Sequence, residues 1–197
     1  MGRRPLAVAI TGGIAAGKTE ALAAFARRGA AVSSADETVH RVYREDESLK
    51  SELRTRWGEA VFAADGEVDR AAVAAIVFAD RSELNWLESV LHPRVRRMHE
   101  QWFDEVAARP DTPALAVVEI PLLYETGSEA AYDKVVALTA APSVREARRG
   151  VFADREARLI PDEEKLQRAD FAYVNDGSLA ELDAFVDGVV KELTSSS

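Results

Sequence analysis

The sequence predicts an α/β protein of three layers, in which a parallel sheet carries helices on both faces. The apolar runs at residues 114–120 and 134–139 are continuous, which is typical of strands that are buried on both faces. Stretches with the apolar spacing of helices fill the intervals between such runs. Strands that alternate with helices are joined by βαβ crossovers, which make the strands parallel. With 197 residues the chain is long enough for one sizeable core and a small inserted region.

The first half of the chain is predicted to hold two short strands and four helices. They are, in chain order, a strand at 6–10, a helix at 20–28, a strand at 30–33 and helices at 37–57, 70–78 and 83–107. Gly29 is expected to stop the first helix, and Asp69 to cap the third. Because proline restricts the residue before it, the pair His92–Pro93 is expected to interrupt the last helix.

The second half is predicted to alternate strands with helices up to a final helix at 179–193. Its strands are expected at 114–120, 134–139 and 171–174. Ligands of parallel α/β sheets bind beyond the carboxyl ends of the strands. Asp36, Pro121 and Asn175 all follow predicted strands closely, so a binding cleft is expected at that edge of the sheet.

Composition excludes several classes of function. The net charge of −9 argues against a surface that grips nucleic acid or anionic lipid. The chain has no cysteine, which excludes disulfides, thiolate catalysis and cysteine-ligated zinc. Its three histidines are scattered, so no transition-metal site is expected. The apolar run near the start is too short for a targeting or membrane segment, and a cytoplasmic protein is expected. The sequence leaves the oligomeric state open.

The strongest motif lies directly after the first strand, where Gly12 and Gly17-Lys18-Thr19 have the spacing of a phosphate-binding P-loop. Glycines allow backbone torsions that turn successive N–H groups onto one anion. Lys18 is expected to reach the β- and γ-phosphates of ATP, and Thr19 to offer its hydroxyl to Mg²⁺. A strand before the motif and a helix after it disfavour a chance match. The residues expected to bind ATP here are Gly12, Gly13, Ile14, Ala15, Ala16, Gly17, Lys18, Thr19 and Glu20.

Small-molecule kinases, GTP-dependent switches and ATPase motors share this loop. The chain has neither the Asn-Lys-x-Asp nor the Asp-x-x-Gly motif of a switch, and it is too short for the extra domains of a motor. A kinase places a carboxylate at a strand end near the loop, where it orients or deprotonates an acceptor hydroxyl. Asp36 is predicted to stand in such a place, which favours a kinase.

An ordered series of motifs resembles the dephospho-CoA kinase family from about Leu6 to about Leu193. After the P-loop the series runs through Ser34-Ala35-Asp36, Asp69-Arg70, Leu91-His92-Pro93, Pro121-Leu122-Leu123-Tyr124-Glu125, Glu163-Glu164-Lys165, Ala169-Asp170 and Asn175-Asp176-Gly177. The resemblance implies a single P-loop kinase domain over residues 1–197. It also implies an inserted helical acceptor-binding region at about 37–110 and a lid at about 145–165.

By this resemblance the reaction moves the γ-phosphoryl group of ATP to the ribose 3′-hydroxyl of dephospho-CoA, with Mg²⁺ as cofactor. Lys18, Asp36 and Arg148 are the implied catalytic residues. Asp36 would act as general base or orienting group, and its alternative is a cap for a helix that begins at Glu37. Glu119 precedes the strand-end segment where an acid could hold a Mg²⁺-bound water, or it is structural.

The resemblance also implies residues that contact the two substrates. Asn175 belongs to the loop beside the adenine of ATP, with a plain turn as its alternative. The implied acceptor-binding residues are Asp36, Arg70, His92, Pro93, Leu122, Leu123 and Glu125. A solvated helix residue is the alternative for Arg70, and a structural role at a proline kink is the alternative for His92.

Two departures from the family pattern concern the acceptor side and the lid. Ser34 replaces the first acid of an Asp-Ala-Asp motif. The lid is shorter than usual by roughly two helical turns, which places Phe152 where a second arginine is usual and pairs Arg155 with Leu159. Arg145, Arg148, Arg149, Arg155 and Arg158 are the remaining candidates for phosphate contact, or they form a solvated face.

Two other functions stay open at this stage. One is a kinase of the same fold for another small hydroxyl acceptor, and the acceptor-side motifs count against it. The other is a nucleotide-binding paralogue with weak or no kinase activity, and the short lid favours it.

Overall fold

A computed structural model describes residues 4–149 and 159–195 of the chain. Its centre is a parallel five-stranded sheet with the strand order β2-β3-β1-β4-β5. The strands are β1 (Leu6–Gly12), β2 (Ala31–Ser34), β3 (Leu115–Glu119), β4 (Lys134–Thr139) and β5 (Phe171–Val174). The described helices are α1 (Lys18–Arg27), α2 (Ala35–Glu45), α3 (Glu47–Trp57), α4 (Arg70–Ala79), α5 (Arg81–Ala107), α6 (Pro142–Arg149), α7 (Asp162–Arg168) and α8 (Leu179–Ser195). The predicted α/β class with a parallel sheet is confirmed.

The chain divides into two compact units. The first combines residues 1–34 with residues 103–197 and contains the sheet, and the second covers residues 35–102 and is helical. In the first unit β1 lies between β3 and β4, and Val8 and Ile10 of β1 are fully buried. Phe25 of α1 and Val186 of α8 belong to the same apolar cluster. The P-loop therefore starts from the most enclosed strand of the sheet.

The second unit has a core of its own, formed by α2 to α5. Leu49 and Leu53 of α3 are fully buried beside Val42 of α2 and Val73 of α4. Asp69 caps α4 as predicted, because its carboxylate accepts hydrogen bonds from the N–H groups of Ala71 and Ala72. The inserted unit can thus hold its helices together by its own apolar contacts.

The single helix predicted at 37–57 is wrong, because the chain breaks at Asp46. That residue has extended torsions, and its carboxylate accepts a hydrogen bond from the N–H of Leu49 at 2.9 Å, which caps α3. Arg94 forms an ion pair with Asp46 at 3.1 Å. Helix α2 also begins earlier than predicted, at Ala35, so Asp36 lies in its first turn and does not cap it.

The predicted interruption at His92–Pro93 is also wrong, since α5 runs without a break from Arg81 to Ala107. A proline inside a helix removes one hydrogen bond to the carbonyl four residues earlier, here that of Ser89. Pro93 and Ser89 both lie on the exposed side of the helix, where solvent can reach the carbonyl that lacks its donor. Leu87 and Leu91 remain buried in the second unit's core on both sides of that turn.

Candidate active site

The P-loop connects β1 to α1 at the carboxyl edge of the sheet. Gly12 has φ +140° and Gly17 has φ +95°, values that L side chains rarely adopt. A Cβ atom on Gly12 would collide with the carbonyl group of Leu138, a backbone group that cannot turn aside. Ala15 also has a positive φ of +58°. The loop therefore has the turned backbone that an anion cradle requires.

Lys18 is folded back over this loop. Its ammonium group donates to the carbonyl oxygens of Gly12 at 3.1 Å and Gly13 at 2.7 Å, and the side chain is buried. Lys18 is also the first residue of α1, whose N-terminal end carries a partial positive charge. The loop therefore holds a cation and a helix dipole at one point, which favours a bound phosphate.

Thr19 and Glu119 bring a hydroxyl and a carboxylate together beside the loop. The Thr19 hydroxyl donates to Oε2 of Glu119 at 3.4 Å. Glu119 ends β3, in register with Ile10 of β1 and Ser34 of β2. Mg²⁺ takes oxygen ligands and keeps several waters, so an exposed hydroxyl next to a buried carboxylate suits this ion.

Asn175 supports the P-loop from the end of β5, which is separated from β1 by β4. It follows β5, is 3% exposed, and donates from Nδ2 to the carbonyl of Ala16 at 2.9 Å. Its own N–H donates to the carbonyl of Thr139 at 2.7 Å. The side-chain amide of Asn175 therefore braces the P-loop, and its place beside the adenine of ATP stays a prediction.

Arg148 joins α6 to the same loop. Its guanidinium donates to the carbonyl of Ala15 at 3.1 Å and to the carbonyl of Asn175 at 2.9 Å. The residue is exposed, so the cation lies at the surface of the cradle. Of the arginines predicted for the lid, Arg148 thus reaches the P-loop backbone.

A cleft of about 440 Å³ opens beside the P-loop at the ends of β4 and β5. Its lining residues come from three parts of the first unit: Gly13 of the P-loop, residues 139–142 and Arg145 after β4, and residues 159–163 with Val174 and Asp176 near β5. Asp162 is an acidic residue of this lining, and its carboxylate lies close to Gly13 of the P-loop. Its Oδ2 accepts from the hydroxyl of Thr139 at 2.5 Å and lies 3.8 Å from Arg145 Nη1.

The strand-end segment after β3 contains Leu122, Leu123 and Glu125 in three different environments. Leu122 is 36% exposed, whereas Leu123 is fully buried and offers no exposed surface to a ligand. Glu125 is largely buried and forms an ion pair with Lys165 at 2.7 Å. Its Oε1 also accepts a hydrogen bond from the N–H of Ile160 at 3.0 Å.

The second unit contains the remaining predicted acceptor residues. Asp36, on the first turn of α2, is exposed, and His92 and Pro93 are exposed on α5. Arg70 is the first residue of α4, and its Nη1 contacts the imidazole ring of His40 of α2, where it can donate to one ring nitrogen. Asp36 and His40 are four residues apart on one helix and so share a face.

The same unit holds a buried histidine that the sequence did not mark. The ring Nε2 of His99 lies 3.0 Å from the hydroxyl of Thr38, and His99 is 6% exposed. Burial lowers the pKa of His99 from its usual 6.5 to about 4. The ring is therefore neutral at pH 7 and has a structural position in the core.

Comparison with known families decides the assignment. The model of the dephospho-CoA kinase family matches residues 6–181, which is most of the chain. The chain belongs to the dephospho-CoA kinase family. A dephospho-CoA kinase of Rhodopseudomonas palustris strain BisB18 is 39% identical over 170 residues, which cover 82% of either chain. The expected resemblance is thus confirmed, and with it the kinase class.

Two solved structures agree with this fold. A Thermus thermophilus protein has a TM-score of 0.78 and is 33% identical, with 97% of this chain and 99% of the other covered. A dephospho-CoA kinase from Campylobacter jejuni has a TM-score of 0.73 at 23% identity, with 96% and 98% covered, and it supports the fold. Among the described residues no helix is both long and apolar enough to cross a membrane.

The structure brings together part of the predicted dephospho-CoA kinase site. Lys18, Thr19, Glu119, Arg148 and Asn175 surround the P-loop within the first unit. Sequence reasoning missed three side chains near them: Thr139, Asp162 and Lys165. Lys165 belongs to the family motif Glu163-Glu164-Lys165, but the motif did not indicate a function for it. Arg155, Arg158, Phe152 and the side chain of Arg149 lie outside the described residues, so the short lid stays a prediction.

Proposed function

We propose that this chain transfers the γ-phosphoryl group of ATP to the ribose 3′-hydroxyl of dephospho-CoA, the last step of coenzyme A synthesis. The observation that supports this most is the P-loop with Lys18 and the Thr19–Glu119 pair, in a chain that the family model matches over residues 6–181. We also propose a cytoplasmic location, where ATP is available.

On the nucleotide side, Lys18 is the residue that changes partners. Its ammonium group donates to the carbonyls of Gly12 and Gly13. A triphosphate in the cradle offers stronger, charged acceptors, so Lys18 turns to the β- and γ-phosphates and stabilises the transferred charge. Arg148, at the edge of the loop, adds a second cation on that side.

Thr19 and Glu119 are proposed to hold Mg²⁺, Thr19 directly and Glu119 through a water. Such an ion would neutralise part of the negative charge on the phosphates during transfer. Oxygen ligands at this spot agree with the preference of the ion. Thr19 is exposed and would be open to the ion, and its hydroxyl is held by a hydrogen bond to the buried Glu119.

On the acceptor side, Asp36 is proposed to orient the 3′-hydroxyl and accept its proton. A bond then forms between that oxygen and the γ-phosphorus, the bond to the β-phosphate oxygen breaks, and ADP leaves. The loose transition state of phosphoryl transfer needs little base strength, so the position of Asp36 matters more than its basicity. Ser34, at the end of β2, takes the place of the family's first acid.

The second unit, residues 35–102, is proposed to bind the acceptor. Arg70, His92 and Pro93 are its proposed contacts there. Leu122, Leu123 and Glu125 belong to the segment that is proposed to form the acceptor side of the first unit, where the exposed Leu122 would make the contact and the buried Leu123 and Glu125 would support it. The exposure of Arg70, His92 and Leu122 is compatible with direct contact. Asn175 and the cleft at the ends of β4 and β5 are proposed to receive the adenine side of ATP.

Measuring ADP formation with ATP, Mg²⁺ and dephospho-CoA tests this proposal. Wild type is expected to form ADP only when dephospho-CoA is present. Lys18→Ala and Asp36→Asn are expected to lose that activity, and Lys191→Ala, an exposed lysine of α8, serves as the matched control. ADP at equal rates without acceptor would contradict the proposal. Tight ATP binding with no turnover would favour the paralogue without kinase activity.

A further inference from the structure

Lys165 is the most deeply buried cation among the described residues. It belongs to α7, is 1% exposed, and its ammonium group lies 2.7 Å from Oε1 of Glu125. The side chain of Glu125 is 13% exposed, so both charges of this pair are withdrawn from water. Such a pair is retained at a considerable desolvation cost and is weak evidence for stability. The Lys165–Glu125 pair is therefore expected to have a role other than stabilising the fold.

The pair joins two segments that flank the candidate active site. Glu125 ends the strand-end segment after β3, which is proposed to line the acceptor side. Lys165 lies on α7, one turn after Asp162, and Oε1 of Glu125 also accepts from the N–H of Ile160. Glu125 thus holds the chain on both sides of the start of α7.

The start of α7 lies against the nucleotide cradle. A Cβ atom on Gly13 would be 2.6 Å from Oδ2 of Asp162, which means that the carboxylate rests on the P-loop backbone. Asp162 also accepts from Thr139 and approaches Arg145 at 3.8 Å. A carboxylate repels a triphosphate, so we expect Asp162 to have a role that offsets this repulsion. Holding the Arg145 cation at the cleft is such a role.

Further contacts connect α7 to the segment after β3. Arg168 pairs with Glu129 at 2.6 Å and stacks over the ring of Tyr124, with 4.1 Å from its guanidinium carbon to the ring centroid. Both partners belong to the segment after β3. A displacement of α7 would therefore move the acceptor-side segment too, and Lys165 is the buried contact at the centre of this connection.

We propose that Lys165 is a positioning residue for phosphoryl transfer. Through Glu125 it fixes the start of α7, so that Asp162 and Arg145 keep their places at the P-loop while the acceptor-side segment keeps its own. Lys165 does not touch the reacting atoms. This inference rests on the proposed kinase function. Its consequence is that the pair sets the rate of transfer and the coupling of ATP use to the acceptor, and leaves the affinities nearly unchanged.

The experiment compares Lys165→Met, Lys165→Arg and Glu125→Gln with wild type. Lys134→Met is the control, because it removes a lysine–carboxylate pair of equal length, Lys134–Asp170 at 2.7 Å, which lies at the amino ends of β4 and β5, whereas the P-loop follows the carboxyl end of β1. The readouts are kcat, the KM of each substrate, the ratio of phosphorylated acceptor to ADP, and the melting temperature. Phosphorylated acceptor and ADP are measured in the same reaction.

We expect Lys165→Met to lower kcat by about 10- to 100-fold, because small misplacements of catalytic groups have effects of that size. Both KM values should stay within about threefold, and more ADP than phosphorylated acceptor should form, since a displaced cleft admits water as acceptor. Lys165→Arg should recover part of the rate, and Lys134→Met should match wild type in rate and coupling.

A folded Lys165→Met with wild-type kcat and coupling would overturn the inference. Equal losses in Lys134→Met and Lys165→Met would overturn it too, because they would show a general effect of stability. If Lys165→Met does not fold, Glu125→Gln decides, since it keeps an acceptor for Ile160: wild-type kcat and coupling there refute the positioning role. A wild type without acceptor-dependent turnover would instead refute the proposed function.

Discussion

Asn175→Ala removes one buried hydrogen bond that holds the P-loop in shape. The Nδ2 group of Asn175 donates to the Ala16 carbonyl at 2.9 Å, and Asn175 is 3% exposed. Alanine leaves that carbonyl buried without a partner, which costs about 1–3 kcal/mol of the free energy of unfolding. For a protein of this size each kcal/mol lowers the melting temperature by about 2–4 °C, so a fall of about 2–12 °C is expected.

Thermal unfolding followed with and without ATP–Mg²⁺ measures this effect. A loosened loop must be ordered again by the nucleotide, so the stabilisation by ATP should shrink in the variant. Asn85→Ala is the matched control, because Asn85 is exposed on α5 and alanine is the better helix former. A melting temperature of Asn175→Ala within about 1 °C of wild type would refute the reasoning.

Three other predictions follow from the described contacts. Because the pKa of His99 is about 4 when folded and its usual value is 6.5, the unfolded chain binds the extra proton between these values, and stability should fall by about 2 kcal/mol from pH 6.5 to pH 5. Urea unfolding at both pH values measures this change. If the free energy of unfolding of His99→Gln fell by the same amount between the two pH values, the result would contradict the prediction. Asp69→Ala should lower the free energy of unfolding by about 0.5–2 kcal/mol through the lost cap of α4, and a neutral result would show that the cap is dispensable. Glu119→Gln should raise the Mg²⁺ concentration for half-maximal activity by about 10- to 100-fold, whereas an unchanged Mg²⁺ titration would remove Glu119 from the metal site.

The sheet and the P-loop were predictable because local signals carry them. Continuous apolar runs mark β3 and β4, and the strand at 134–139 agrees with the structure at both ends. Gly12 and Gly17 have positive φ values, which glycine adopts far more readily than other residues, so the sequence itself indicates this part of the loop. Helix boundaries were less predictable. Apolar spacing continues across Asp46, so only its capping geometry reveals the break.

The wrong interruption at Pro93 and the missed side chains have a different cause. Whether a proline breaks a helix depends on which face of the helix meets the core, and that is a tertiary property. Glu125 and Lys165 are far apart in the sequence, and each looks like an ordinary surface charge until the fold buries both. His40 and Arg70 meet across two helices in the same way. Such pairs are not visible in the local pattern of residues.

The position of the new phosphate on the product tests the proposed reaction most directly. Wild type is incubated with ATP, Mg²⁺ and dephospho-CoA, and the product is examined by ³¹P and ¹H NMR. We expect one phosphomonoester coupled to the ribose H3′, in an amount equal to the ADP formed. Phosphate on another hydroxyl, or ADP without any phosphomonoester, would contradict the proposed function.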